Sequence, residues 1–216
     1  MGAFIRRAID LSASVLGLAL LALPFALVGL LIKLDSAGPV FFRQDRAGKD
    51  GRTFRVWKFR TMVDGSVNLG LGNTLVHDDD RITRVGRFLR QLSIDELPQL
   101  INVVTGDMSL VGPRPTLPYQ VERYSPRQRR RLAVKPGITS WAGVNGRNRL
   151  AWAQRIELDV WYVENRSVWL DLKIIARTFW VAFITREGVY ADDGPNDDFS
   201  GAPVMARIEE QAEKTV

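Results

Sequence analysis

Residues 11–32, LSASVLGLALLALPFALVGLLI, run for 22 positions without a charged side chain. About 20 apolar residues suffice to span a bilayer, and few domains of this size enclose a helix that is apolar on all sides. The stretch is also longer than the apolar region of a cleaved signal, and no clear cleavage pattern follows it. It therefore predicts a membrane segment. Basic residues flank both ends: Arg6 and Arg7 before it, then Lys33, Arg43, Arg46 and Lys49 after it. Positive flanks favour the cytoplasmic side, so both ends are expected on one face. Pro24 removes a backbone donor near the middle. Together these predict a re-entrant helix broken at Pro24, with a kinked spanning helix as the alternative.

Outward from this segment, the chain of 216 residues is long enough for one further domain. It has no cysteine and one histidine, His77, which excludes disulfides, thiolate chemistry and a His-rich zinc site. The net charge of +6 is unevenly spread. Residues 187–216 carry eight acids against Arg207 and Lys214, leaving +12 on the rest. A basic body suits an anionic membrane surface, a phosphorylated ligand or nucleic acid. The expected organisation is a membrane helix over 1–34, a catalytic domain over 35–188 and an acidic tail over 189–216.

Apolar and basic residues alternate over 39–44 and 52–59, separated by Gly48-Lys-Asp-Gly51. This predicts a hairpin, with Arg43, Arg55 and Lys58 on its polar face. Residues 64–80 read as a loop, and helices are predicted over 82–91, 95–104 and 151–163. Residues 168–185, with Trp169, Phe179, Trp180 and Phe183, suit either a membrane interface or a core helix. The basic run Arg123 to Arg131 reads as a solvated helix face or a lipid-phosphate contact.

Ser93-Ile-Asp-Glu96 matches a helix capping box, which explains the pair Asp95-Glu96 locally. Capping leaves unexplained the cations around it: Arg81, Arg84, Arg87 and Arg90 upstream, and Arg114 between Pro113 and Pro115 downstream. Arginine grips phosphate through a planar fork, and a stiff loop lowers the cost of ordering it. Arginines favour an ionised carboxylate, and carboxylates are hard-oxygen ligands for magnesium, which shares its shell with substrate phosphates. The constellation points to phosphoryl transfer beside a membrane. A non-catalytic module binding lipid or nucleic acid phosphates is the alternative.

These motifs resemble the monotopic phosphoglycosyl transferases of the bacterial sugar transferase family. The resemblance rests on Arg6-Arg7-x-x-Asp10, Gly38-Pro-Val-Phe-Phe-Arg43, Lys58-Phe-Arg-Thr-Met62 and residues 81–90, then Ser93-Ile-Asp-Glu96 and Gly106 to Pro115. It continues through Lys135-Pro-Gly-Ile-Thr139, Val144-Asn-Gly-Arg-Asn148, residues 157–163 and Leu170-Asp-Leu-Lys173. The chain departs from the family at Leu23, where some members have serine. It departs again at Ser140 and Gly143, where glycine and glutamine are usual. Larger members add a multi-span N-terminal domain, so this chain is expected to be the minimal catalytic form.

The resemblance implies an α+β, mostly helical fold with a re-entrant helix, interfacial amphipathic helices, a small β-hairpin and a compact catalytic domain. That domain would lie on the cytoplasmic face of the bacterial inner membrane. Asp95 would attack a UDP-sugar and form a covalent phospho-sugar intermediate, with Glu96 assisting and UMP leaving. Undecaprenyl phosphate would accept the sugar phosphate. Mg2+ would bind Asp95; Arg90 and Arg114 would hold phosphate, and Asn145 and Arg147 would contact substrate. The implied partners are these two substrates and membrane lipids, without nucleic acid.

Overall fold

The computed structural model describes residues 2–66, 80–146 and 150–181. His77, Arg147 and the acidic tail lie outside them. Leucine and alanine are strong helix formers, and they carry α1 from Gly2 to Asp35. The helix continues through Pro24 instead of stopping there, so the expected break does not interrupt helical structure. In apolar surroundings a helix satisfies most of its own backbone groups, and one missing donor is tolerated when neighbours pack beside it.

One stripe of α1 faces the rest of the molecule: Asp10, Ser14, Gly29 and Ile32 are buried, with Gly17, Leu21, Phe25 and Val28 half-buried between them. Leu16, Leu20, Leu23, Leu27, Leu30 and Leu34 cover the opposite side and are exposed. Both halves of α1 are tied to the same body. At the N-terminal end Arg6 Nε donates to Asp171 at 2.7 Å, and Arg7 donates to the Val103 and Val104 carbonyls. Asp10 accepts from Ser109 Oγ and the Leu110 amide. Towards the other end Phe25, Val28 and Ile32 join a cluster with Phe59 and Leu89. The chain leaving α1 is clamped by Arg60, which donates to the carbonyls of Ser36, Ala37 and Pro39.

The hairpin forms as predicted from β1 (Phe41–Ala47) and β2 (Thr53–Phe59), antiparallel, with Arg43 opposite Trp57. Asp50 (φ 56°) and Gly51 (φ 77°) make the left-handed turn. The expected single polar face is corrected. Arg55 and Lys58 are three residues apart, and strand side chains alternate, so they point to opposite faces. Lys58 shares its face with Gln44 and Arg46. Asn102 closes the edge of β2: its amide oxygen accepts from the Trp57 amide and its nitrogen donates to the Arg55 carbonyl, both at 2.9 Å.

The rest is mostly helical. Thr83 caps α2 (Arg84–Gln91) through the Gly86 amide, and Asp35 at the end of α1 accepts from the Val85 amide. A 3-10 turn, Ile94–Gln99, leads into α3 (Leu100–Thr105), so the helix predicted over 95–104 is two pieces. A short parallel pair that the sequence pattern did not indicate follows, β3 (Ser109–Val111) with β4 (Gly137–Thr139). Between them lie α4 (Pro118–Glu122), α5 (Pro126–Arg129) and a 3-10 turn, Arg130–Ala133. The last elements are α6 (Trp141–Val144), α7 (Trp152–Asn165) and α8 (Val168–Trp180). Helix α8 packs one side into the core and leaves an aromatic side exposed. Asp171 and Ile174 are buried, while Trp169, Leu172, Phe179 and Trp180 are exposed.

Candidate active site

Asp95 and Glu96 sit in the 3-10 turn between α2 and α3. Ser93 adopts a left-handed conformation (φ 56°) and makes no side-chain cap, so the capping-box reading is corrected. Glu96 turns away from the helix start towards two cations. Its Oε1 accepts from Lys58 Nζ at 2.7 Å and from Arg114 at 2.5 Å, and its Oε2 accepts from Arg114 at 3.2 Å. Charge-assisted, two-pronged bonds are roughly twice as strong as a neutral bond to a backbone amide. Glu96 is 14% exposed and the Arg114 side chain 56%, so the arginine extends from a covered carboxylate towards the open side.

Arg90 on α2 reaches the same site and donates from Nε to Thr61 Oγ1 at 2.7 Å. Arg114 stands in a run without regular structure, yet three carbonyls around it are held, each by a different element. The Gly137 amide holds Pro113, Arg131 holds Arg114, and the Ala47 amide holds Thr116. Arg46 on β1 donates to Gln44 at 2.6 Å and lies 3.5 Å from the Pro115 carbonyl.

The two acids differ electrostatically. Burial pushes Asp95 up to about 6; Lys58, Arg90 and Arg114 oppose this and Glu96 adds to it. The expectation that arginines alone would keep Asp95 fully ionised therefore omits its desolvation. Burial also opposes ionisation of Glu96, but Arg114 and Lys58 outweigh it and hold that carboxyl well below its usual range. Burial and the neighbouring Arg114 lower Arg46 to about 10.

Among the described residues no hydrogen bond to the Asp95 carboxylate is found, whereas both oxygens of Glu96 are committed. No group of three acidic or histidine side chains converges among them either. One uncommitted carboxylate fits magnesium only as an ion shared with substrate phosphates, the usual arrangement for that metal.

The structure thus gathers Asp95, Glu96, Arg90 and Arg114. Asn145, just after α6, donates from its side-chain amide to the Trp141 carbonyl at the start of that helix. Ser140, one of the departures from the family pattern, caps the start of that helix through the Gly143 amide. Sequence reading missed the contacts of Lys58 and Arg46: Arg46 lies beyond the strand predicted over 39–44, and Lys58 is predicted on one face with Arg43 and Arg55. It also misread Arg131, placed on a solvated face or against lipid phosphates but 2% exposed in the structure.

The family model described as bacterial sugar transferase matches residues 1–185. The chain is 47% identical over 174 residues to "Uncharacterized sugar transferase EpsL" of Bacillus subtilis, covering 81% of this chain and 85% of that one. It is 47% identical to the undecaprenyl-phosphate glucose phosphotransferase of Komagataeibacter xylinus, over 80% of this chain but 35% of that longer one. It is 42% identical to the UDP-glucose:undecaprenyl-phosphate glucose-1-phosphate transferase of Caulobacter vibrioides, over 86% of this chain and 72% of that one. A match across the helix, the hairpin and the acid pair alike means that the chain belongs to the bacterial sugar transferase family.

Proposed function

We propose that the chain transfers a sugar 1-phosphate from a UDP-sugar to undecaprenyl phosphate, releasing UMP, as the first membrane step of glycoconjugate assembly. The observation that carries this reading is the unequal acid pair, in a chain whose relatives are named for that transfer. Among the described residues Asp95 makes no side-chain hydrogen bond, and it lies in the field of Lys58, Arg90 and Arg114.

In the first step an Asp95 oxygen bonds to the sugar-bearing phosphorus of the UDP-sugar. The bond from that phosphorus to the bridging oxygen breaks, and its electron pair leaves with UMP. In the second step an oxygen of undecaprenyl phosphate bonds to the same phosphorus and the bond to Asp95 breaks, giving a lipid diphosphate sugar. Arg90 and Arg114 spread the charge on the phosphate oxygens. Glu96 acts as the anchor of Lys58 and Arg114; its low pKa makes it a poor proton acceptor. Magnesium held by Asp95 and the diphosphate would supply further charge neutralisation.

The same reading places α1 in the cytoplasmic leaflet with both ends on one side. The uncharged run 11–32 alone would span about 33 Å, enough to cross a hydrocarbon core of roughly 30 Å, but both halves of α1 are packed on the same body. Crossing would carry one end, and the domain packed against it, through the bilayer. The leucine side of α1 and the aromatic side of α8 supply the lipid-facing surface.

The test is magnesium-dependent UMP release on mixing the purified protein with a panel of UDP-sugars before any lipid is added. Asp95→Asn is expected to lower that release by about 10³-fold or more, with membrane association kept. Turnover by the Asp95→Asn protein would show that another group is the nucleophile.

A further inference from the structure

An ion pair lies within the core behind Arg114. Arg131, from the 3-10 turn Arg130–Ala133, and Asp159, from α7, are each 2% exposed and bonded to one another. Arg131 also donates to the Arg114 carbonyl at 2.9 Å and to the Tyr124 hydroxyl at 2.5 Å. Tyr124 in turn donates to Thr116 Oγ1 at 3.0 Å. Two atoms of the pair, Arg131 Nε and Asp159 Oδ1, are buried without a partner.

Stability alone is a poor reason for this arrangement. Desolvating two charges offsets most of their attraction, and apolar residues of similar volume often serve as well or better. Each buried polar atom left unpaired costs more. What the pair supplies instead is a charged donor aimed at the backbone of the residue whose side chain grips Glu96. Prolines on both sides of Arg114 limit its main chain but do not anchor it. The contacts from Gly137, Arg131 and Ala47 do, and of the three only that from Arg131 comes from a side chain and falls on Arg114 itself.

We propose that Arg131, with Asp159 as its counter-ion, is a positioning residue for phosphate recognition: it fixes the Arg114 main chain and so sets where that guanidinium meets substrate. This rests on the reading of Asp95 and Arg114 as the phosphate-handling site. Neither residue of the pair touches substrate.

A double-mutant cycle tests it. Replacing both members (Arg131→Met with Asp159→Leu) avoids stranding one buried charge. The pair variant is expected to lose about 30–100-fold in kcat/KM for UMP release, the scale of a misplaced catalytic group, with a melting temperature near that of the wild type. In an Arg114→Ala background the same replacement is expected to change kcat/KM by less than about threefold, because coupled sites are not additive. Wild-type kcat/KM in the pair variant, or an equal loss in both backgrounds, would overturn the proposal.

If the pair variant does not fold, Arg131→Lys keeps the charge beside Asp159 but loses the fork that reaches the Arg114 carbonyl. An unchanged kcat/KM there overturns the proposal equally. Hydrogen exchange over residues 111–117 reads the same hold without substrate, and is expected to accelerate in either variant. Unchanged exchange would sink the positioning role even if the wild type released no UMP, an outcome that counts only against the transfer reaction.

Discussion

Asp95 and Glu96 are adjacent in one 3-10 turn, yet burial dominates the first and two cations dominate the second. The difference has a measurable sign. In the proposed mechanism Asp95 attacks phosphorus as a carboxylate, so kcat/KM for UMP release is expected to rise with pH up to about 6 and then level off. Lys58 is the charge that most opposes the burial of Asp95. Removing it in Lys58→Met favours the protonated form and moves the acidic limb to higher pH. A limb that stays in place in this variant would mean that another group sets it. The acid pair was legible in the sequence, but its division of labour was not. Ser93-x-x-Glu96 satisfies a local capping pattern, whereas the bonds that Glu96 makes come from Lys58, 38 residues earlier, and Arg114, 18 residues later.

The site depends on how α2 and the hairpin are held. A side chain on Gly86 would place its Cβ 2.0 Å from the Thr61 carbonyl oxygen, so α2 sits directly against the segment after β2 that carries Thr61. Gly86→Ala must therefore push α2 away and take Arg90 off Thr61 Oγ1. The expected cost is about 1–3 kcal/mol of stability, read as a lower melting temperature, together with a fall in UMP release of roughly tenfold or more. Wild-type values for both would refute this account of the helix contact. Asn102 makes a similar link for β2. Its amide replaces a strand at the open edge, and Asn102→Ala removes both part-buried bonds at a cost of about 1–2 kcal/mol. Denaturant unfolding would read that loss, and an unchanged midpoint would contradict it. Periodicity disclosed the hairpin and helices α2, α7 and α8. The β3–β4 pair was hidden because three-residue parallel strands that are 26 residues apart carry no alternation to read.

Across the whole molecule, α1 is both the membrane element and one wall of the domain. Because the chain has no cysteine, single labels can be introduced without background. Ala3→Cys and Lys33→Cys are both expected to react with an impermeant maleimide from the cytoplasmic side only; reaction from opposite sides would show that α1 crosses the bilayer. Arg6→Ala removes the tie to Asp171, an ion pair of which each side chain is less than a fifth exposed. It is expected to lower stability by about 1–3 kcal/mol without changing the membrane fraction. The sequence by itself determined the apolar helix, the hairpin, the acid pair and the family, because each is written in contiguous residues. Only the tertiary structure decided that α1 continues through Pro24 with one face on the domain, that Glu96 binds Lys58 and Arg114, and that Arg131 lies buried behind Arg114. In each case the deciding free energy comes from groups far apart in the chain: packing that outweighs a lost proline donor, and paired charges that outweigh a local cap or a solvated surface.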